Sequence, residues 1–274
     1  MCGRFVSYFD PAELAGVFNA DQITELPGPS WNVAPTNQAP LIRELTPSAR
    51  ASGHSGDEPR GLDDQIGTAT SDAAGALVQP SRPREVRAAR WGLVPSWAKD
   101  RSIGARLINA RSETITVKPA FRAAAKARRA LIPAAGYFEW QAGVRGAKRP
   151  FFLHPEDEGL IAMAGLYEWW RPPPQPDVDQ DDPSARAAPL VTFTIVTRAA
   201  TDSLGDIHDR MPLVVPGELW EPWLSPDLNT PAAVGALIEA IPDPELIPRE
   251  VGRAVGSVRN NGPGLIEPVA DLLI

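Results

Sequence analysis

Apolar residues along this chain fall mostly in short runs or at alternate positions, the spacing of strands rather than of long helices. The runs 151–153, 160–166 and 190–197 are apolar or β-branched and end at turn residues, which predicts three strands. Helical spacing is local. Asp10-Pro11 followed by Ala12, Leu14, Val17 and Phe18 sets an N-cap, a proline at the first helical position and an apolar stripe. An Ala/Arg/Lys-rich stretch at 119–129 and a second apolar stretch at 231–241 predict two further helices. Strands separated by scattered short helices predict an α+β domain around a mixed, mainly antiparallel sheet. Two segments break the pattern. Residues 47–84, rich in Ser, Gly, Asp, Pro and Ala, and residues 171–189, proline-rich and acidic, read as mobile insertions.

Composition narrows the class. With 43% apolar residues the 274-residue chain has enough for a buried core, and its 30 prolines and 22 glycines imply many turns. No run approaches the length of a membrane span and no basic-then-apolar leader opens the chain, so a cytoplasmic protein is expected. One cysteine rules out an internal disulfide framework. One cysteine and three scattered histidines show no metal-ligand spacing, and no Gly-rich phosphate cradle is present. Neither metal nor cofactor is therefore expected, and a monomer is expected because no assembly motif occurs.

The net charge of −7 hides an asymmetry. Residues 84–129 hold twelve Lys or Arg against three acids, or +9, while the remainder carries 15 basic and 31 acidic residues, or −16. A basic tract on an acidic chain is the footprint of a polyanion site, although Arg-rich helices that solvate their own faces would look the same.

The chemistry concentrates at the start. Cys2 follows Met1 directly, and a residue this small permits removal of the initiator. The chain would then begin with an amine and a thiol on adjacent carbons. Such a pair condenses with an aldehyde to an imine, and the thiolate closes on the imine carbon to give a thiazolidine. Three further polar blocks interrupt the apolar scaffold: residues 109–113 (Asn-Ala-Arg-Ser-Glu), 136–140 (Gly-Tyr-Phe-Glu-Trp) and 207–212 (Ile-His-Asp-Arg-Met-Pro). Supporting blocks lie at 31–36, 90–97 and 253–258.

In this order and spacing the blocks resemble the SRAP family, the SOS-response-associated peptidases, understood as abasic-site processing proteins. The resemblance runs from Cys2 to about Glu267 and leaves only the two insertions unmatched. It implies one domain over residues 2–270 with an open-barrel core flanked by short helices. It also names the aldehyde: the ring-opened sugar of an abasic site in single-stranded DNA, captured covalently by Cys2. The partner implied is single-stranded DNA, with the protein nucleoid-associated when bound. Weak lyase activity and slow self-reversal would follow from the same imine. A cysteine peptidase and a non-covalent single-strand binder remain as alternatives.

The residues take their roles from chemistry and resemblance together. Cys2 supplies the amine and then the thiolate, the reactive form of the group. Glu139, set among aromatics, should have a raised pKa through desolvation, which suits proton transfer, unless it is an outward-facing strand residue. His208 can protonate the sugar ring oxygen; His54 and His154 are less suitably placed. By resemblance Asn109 orients the sugar or the amine. Arg4, Arg111 and Arg210 adjoin these residues and are candidates for clamping phosphates, with Lys118 a weaker one. Trp91 and Trp97 are candidates for a base-stacking platform or for the core, with Trp97 the stronger platform candidate.

Overall fold

The computed structural model of the protein describes residues 2–45, 82–143, 147–173, 188–201 and 206–269. The chain opens with β1 (Arg4–Ser7), α1 (Pro11–Phe18), β2 (Gln22–Ile23), β3 (Ser30–Val33), β4 (Gln38–Glu44) and β5 (Arg84–Trp91). It continues through β6 (Asn109–Arg111), α2 (Arg122–Ala127), β7 (Arg129–Ala134), β8 (Gly136–Ala142), β9 (Lys148–His154), β10 (Ile161–Trp170) and β11 (Leu190–Ala199). The last elements are β12 (Arg210–Pro212), α3 (Trp220–Leu224), α4 (Pro231–Ala240) and β13 (Ile247–Glu250).

Five of these strands close on themselves. β5, β4, β7, β10 and β11 pair antiparallel in that order, and a parallel pairing of β11 with β5 completes the ring. Period-two alternation then decides what each residue touches. Leu41, Trp91, Ile132, Met163, Phe193 and Ile195 fill the interior. Their neighbours Ile42, Val86, Leu131, Leu166 and Val196 face outward, where Leu14 and Phe18 of α1, Trp223 of α3 and Val234 of α4 cover them. Strands buried on both faces read as unbroken apolar runs, which is why β10 and β11 stood out in the sequence.

A second sheet, in the order β13-β9-β8-β1-β3, packs against one end of the barrel. Phe5, Tyr137 and Leu153 on its inner face join the barrel interior. On its outer face Val6, Phe138 and Phe152 pack against Val251, Val255 and Leu265 from the C-terminal segment. The sheets meet where β7 turns into β8: the Ala135 amide donates to Val6 O (2.9 Å). A Cβ on Gly136 would stand 2.4 Å from Leu153 O, so only glycine lets β8 cross β9 there.

The expected α+β class and mixed, mainly antiparallel sheet with an open-barrel core match this architecture, with the barrel closed by the parallel pair. The first helix begins as expected, with Asp10 accepting from the Ala12 amide (2.8 Å). Val17 departs from its stripe and is exposed, because the short helix buries only Leu14 and Phe18. The second helix is shorter than 119–129, since Arg129 already belongs to β7. The insertions at 47–84 and 171–189 lie outside the described residues except at their edges, where Arg84 opens β5.

Candidate active site

Cys2 precedes β1 and its side chain is wholly buried (0% exposed). The β1–β8 register pairs Arg4 with Phe138 and Phe5 with Tyr137. The pairing stops at Arg4, and Cys2 packs into the interior cluster with Phe5 and Tyr137. Asn109, at the start of β6, donates from Nδ2 to Cys2 O at 2.7 Å. A carbonyl can only accept, so the amide must present its NH2 end to Cys2. Asn109 Oδ1 is buried and finds no partner among the described residues, an open acceptor within the site. The barrel core holds this strand: Asn109 is in parallel register with Ile195, and the indole of Trp91 donates to Ile108 O (2.8 Å).

Glu139 lies one pleat from Tyr137 on the inner face of β8 and is 4% exposed. It is therefore not the outward-facing strand residue that alternation alone allowed. Burial pushes its carboxyl pKa up, while the positive amino terminus and His208 pull it back. Burial also raises the Cys2 thiol, and the nearby Glu139 charge adds to the effect. The Tyr137 phenol is raised by the same burial and then by Cys2 and Glu139. Each group is thus held toward its neutral form, and the three sense one another electrostatically. His208 follows buried Ile207 on the approach to β12. Its Nδ1 sits 2.7 Å from Asp209 Oδ1 and 3.1 Å from the Arg210 amide nitrogen. One is an acceptor and the other a donor, so both protonation states of the ring find a partner without turning it.

The expected DNA-contacting residues divide. Arg210 is committed to the fold: it grips Glu113 with two bonds (2.6 and 3.1 Å) and donates to Thr197 O (2.6 Å). That ion pair holds the Glu113 carboxyl low and ties the His208 segment to the turn after Asn109. Arg4 extends from the face of β1 opposite Phe5 and bonds Asn32 Oδ1 and Val255 O, each at 2.8 Å. Arg111 and Lys118 are exposed, as are Lys99, Arg101 and Arg106 along the same stretch. Other members of the basic tract face inward: Arg129 spends its guanidinium on the carbonyls of Trp223, Ala125, Lys126 and Ser225.

Trp91 is core, 0% exposed, and is excluded as a stacking platform. Trp97 is 61% exposed, on a loop hydrogen-bonded on either side of it. The Val94 amide donates to Thr192 Oγ1 (2.9 Å), and the Trp170 indole donates to Ala98 O (2.7 Å). Gly92, at φ +116°, turns the chain out of β5, and a Cβ there would meet Gly104 O at 2.6 Å. Sequence reasoning missed Tyr137 as a member of the site. Its signal was its position two residues before Glu139, the strand period.

Among the described residues no His, Cys, Asp or Glu cluster is arranged to hold a metal. No helix among them is long and apolar enough to cross a membrane. A cavity of about 310 Å³ lies between α2 and α4, lined by Arg122, Lys126, Asn229 and Thr230, with none of the site residues in its wall.

Residues 1–258 match the family described as SOS response associated peptidase (SRAP). The abasic site processing protein YoqW of Bacillus subtilis is 32% identical over 271 residues, covering 97% of this chain and 99% of its own. The abasic site processing protein YedK of Escherichia coli is 34% identical over 180 residues, or 65% of this chain and 73% of its own. A Bacteroides thetaiotaomicron protein of known structure superposes with a TM-score of 0.55 at 28% identity, covering 68% of this chain and 78% of its own. A Bordetella bronchiseptica protein shares the fold with a TM-score of 0.61 at 19% identity, over 92% of this chain and 100% of its own.

Proposed function

This chain belongs to the SOS response associated peptidase family, and from that premise we propose that it processes abasic sites in DNA by capturing the lesion's aldehyde on Cys2. Removal of Met1, itself part of the proposal, frees the Cys2 amine. The observation that carries the reading is the clustering of the buried Cys2 thiol with Asn109, Glu139 and His208, residues drawn from four separate stretches of chain.

The closed sugar must first open. His208, which has a partner for either protonation state, serves the ring oxygen and exposes the aldehyde. The Cys2 nitrogen then bonds to the aldehyde carbon, and the resulting carbinolamine loses water with a proton from the Glu139 carboxyl. The raised pKa of that carboxyl favours the protonated form this step needs. Loss of the proton leaves a carboxylate beside the thiol. Sγ bonds to the iminium carbon as its proton passes to Glu139, closing a five-membered ring. Protein and DNA are joined with the loss of one water, and Glu139 ends as it began.

Burial opposes a standing Cys2 thiolate, so ionisation is coupled to attack on a cationic iminium, where the charges cancel. Asn109 holds the Cys2 peptide and leaves Oδ1 to accept from the amine or a sugar hydroxyl. Arg111, Lys118 and their exposed cationic neighbours supply phosphate contacts, and Trp97 supplies a face for a base beside the gap. These features suit a single strand, whose affinity falls by about 0.7 log units per log unit of salt for each phosphate neutralised. Arg4 and Arg210 are left out of this binding surface because their guanidinium groups are already engaged within the fold.

Intact mass spectrometry tests the reading. Incubated with a single-stranded oligonucleotide bearing one abasic site, the Met-less chain should gain the oligonucleotide mass less water, and Cys2→Ala should gain nothing. An adduct on Cys2→Ala would sink the thiazolidine mechanism.

A further inference from the structure

A strand at the end of a chain tends to fray, and Cys2 sits beyond the last paired residue of a four-residue strand. The bond from Asn109 fixes only its carbonyl. What holds β1 from the other side is a polar knot on the outer face of the second sheet. Arg4 Nη1 donates to Asn32 Oδ1 and to Val255 O, both at 2.8 Å, and Nη2 donates to Gly256 O at 3.3 Å. The guanidinium carbon lies 5.9 Å from the centre of the Trp140 ring, on the residue after Glu139.

Asn32 is the hub of the knot. It is 4% exposed, and both ends of its amide are used. Oδ1 accepts from Arg4, while Nδ2 donates to Asn260 O (2.9 Å), Ser257 O (3.0 Å) and Val255 O (3.4 Å). Three carbonyls facing one nitrogen leave no doubt which end of the amide points where. An aspartate of the same shape would satisfy Arg4 and repel all three carbonyls. An alanine would leave four polar partners without their amide. The C-terminal turn is thereby bound to the residue two places from Cys2. Val255, 0% exposed, anchors that turn in the outer cluster.

We infer that Asn32 is a positioning residue: through Arg4 it clasps the N-terminal strand to the C-terminal turn and so holds Cys2 in its reactive place. Arg4 then acts inward on the fold rather than outward on a phosphate. The kinetic consequence rests on the capture mechanism proposed above, whereas the structural consequence does not.

Four variants decide it: Asn32→Asp, Asn32→Ala, Arg4→Lys and, as a remote control, Thr230→Ala, which removes a helix N-cap bond to Ala233. The first readout is the alkylation rate of the Cys2 thiol by iodoacetamide in the folded protein without DNA. The second is the maximal rate of adduct formation on an abasic strand. The third is the affinity, with its salt dependence, for a strand carrying tetrahydrofuran, which has no aldehyde. Both Asn32 variants should alkylate at least tenfold faster, form adduct at least tenfold slower and bind within twofold of wild type. Arg4→Lys should fall between them and wild type, with an unchanged salt slope, and Thr230→Ala should match wild type throughout. Wild-type alkylation in both Asn32 variants would overturn the inference. So would an Arg4→Lys variant that binds weakly with a shallower salt slope yet reacts at the full maximal rate, because Arg4 would then be a phosphate contact. A wild-type chain that forms no adduct overturns the capture mechanism alone, since the alkylation comparison still decides the clasp.

Discussion

Replacing Asn109 by aspartate tests the site with almost no change in shape. The substitution exchanges the Nδ2 donor, 2.7 Å from Cys2 O, for a carboxylate oxygen facing a carbonyl oxygen. The lost bond is worth about 1 kcal/mol net, and a buried carbonyl left without a donor costs about 1–3 kcal/mol more. If that 2–4 kcal/mol falls on the reactive placement of Cys2, the rate drops roughly 30- to 700-fold, at about 1.4 kcal/mol per factor of ten. The new negative charge lies near Glu139 and the thiol, which already resist ionisation. It raises both further and moves the pH–rate profile to higher pH. Asn109→Ala leaves the same carbonyl without its donor but adds no charge, so it should fall by the same roughly 30- to 700-fold, from about 2–4 kcal/mol, with the pH–rate profile unmoved. Single-turnover adduct formation at saturating abasic DNA, resolved on denaturing gels across pH 5–9, measures all three proteins. An aspartate variant within threefold of wild type, with an unmoved profile, would refute the role given to Asn109.

Glu139→Gln should slow adduct formation by roughly 10²–10⁴, the range for a positioned proton carrier. Its carboxyl has a raised pKa in the folded state, so its contribution to stability is present below the ordinary value of about 4.3 and is lost as pH rises through the raised one. The Gln variant should therefore be more stable than wild type at pH 8, with the gap closing toward pH 4 in paired urea titrations. Gly92→Ala places a Cβ 2.6 Å from Gly104 O at a φ of +116°. Backbone strain of about 1–3 kcal/mol should lower the melting temperature by roughly 2–12 °C in calorimetry. Trp97→Ala should leave stability within about 0.5 kcal/mol, since the ring packs on little. It should weaken binding to single-stranded DNA by roughly 5- to 150-fold, from about 1–3 kcal/mol of lost stacking, while the maximal adduct rate is unchanged.

The strands and helix starts were legible because their signals are local. Asp10-Pro11 announces α1 within two residues, and the β-branched run of β11 needs no partner to be recognised. Cys2, Asn109, Glu139 and His208 were legible as members of polar blocks that interrupt an apolar scaffold. The direction of each side chain was not. Period-two alternation shows that Arg4 and Phe5 face opposite ways, but which face carries the site depends on β8, more than 130 residues on. The ion pair of Arg210 was equally hidden, because Glu113 lies 97 residues away. Trp91 and Trp97 share one sequence block and similar surroundings. The left-handed turn at Gly92 separates them, sending one ring into the barrel and the next out into solvent.

The clasp has a consequence for synthesis. Arg4 leaves the ribosome near the start, yet its bond to Val255 spans 251 residues. At about 5–20 residues per second, the nascent N-terminus waits roughly 13–50 s for that partner. Its strand neighbour on β8 arrives about halfway through. During that interval Cys2 is attached to an unfinished fold, without the Asn109–Glu139–His208 set complete until residue 208 has been made. A chain truncated before residue 253 would retain every one of those side chains and lack the turn that Arg4 and Asn32 grip. Synthesis of the 255–260 turn is thus the step at which the clasp on the N-terminal strand can first close.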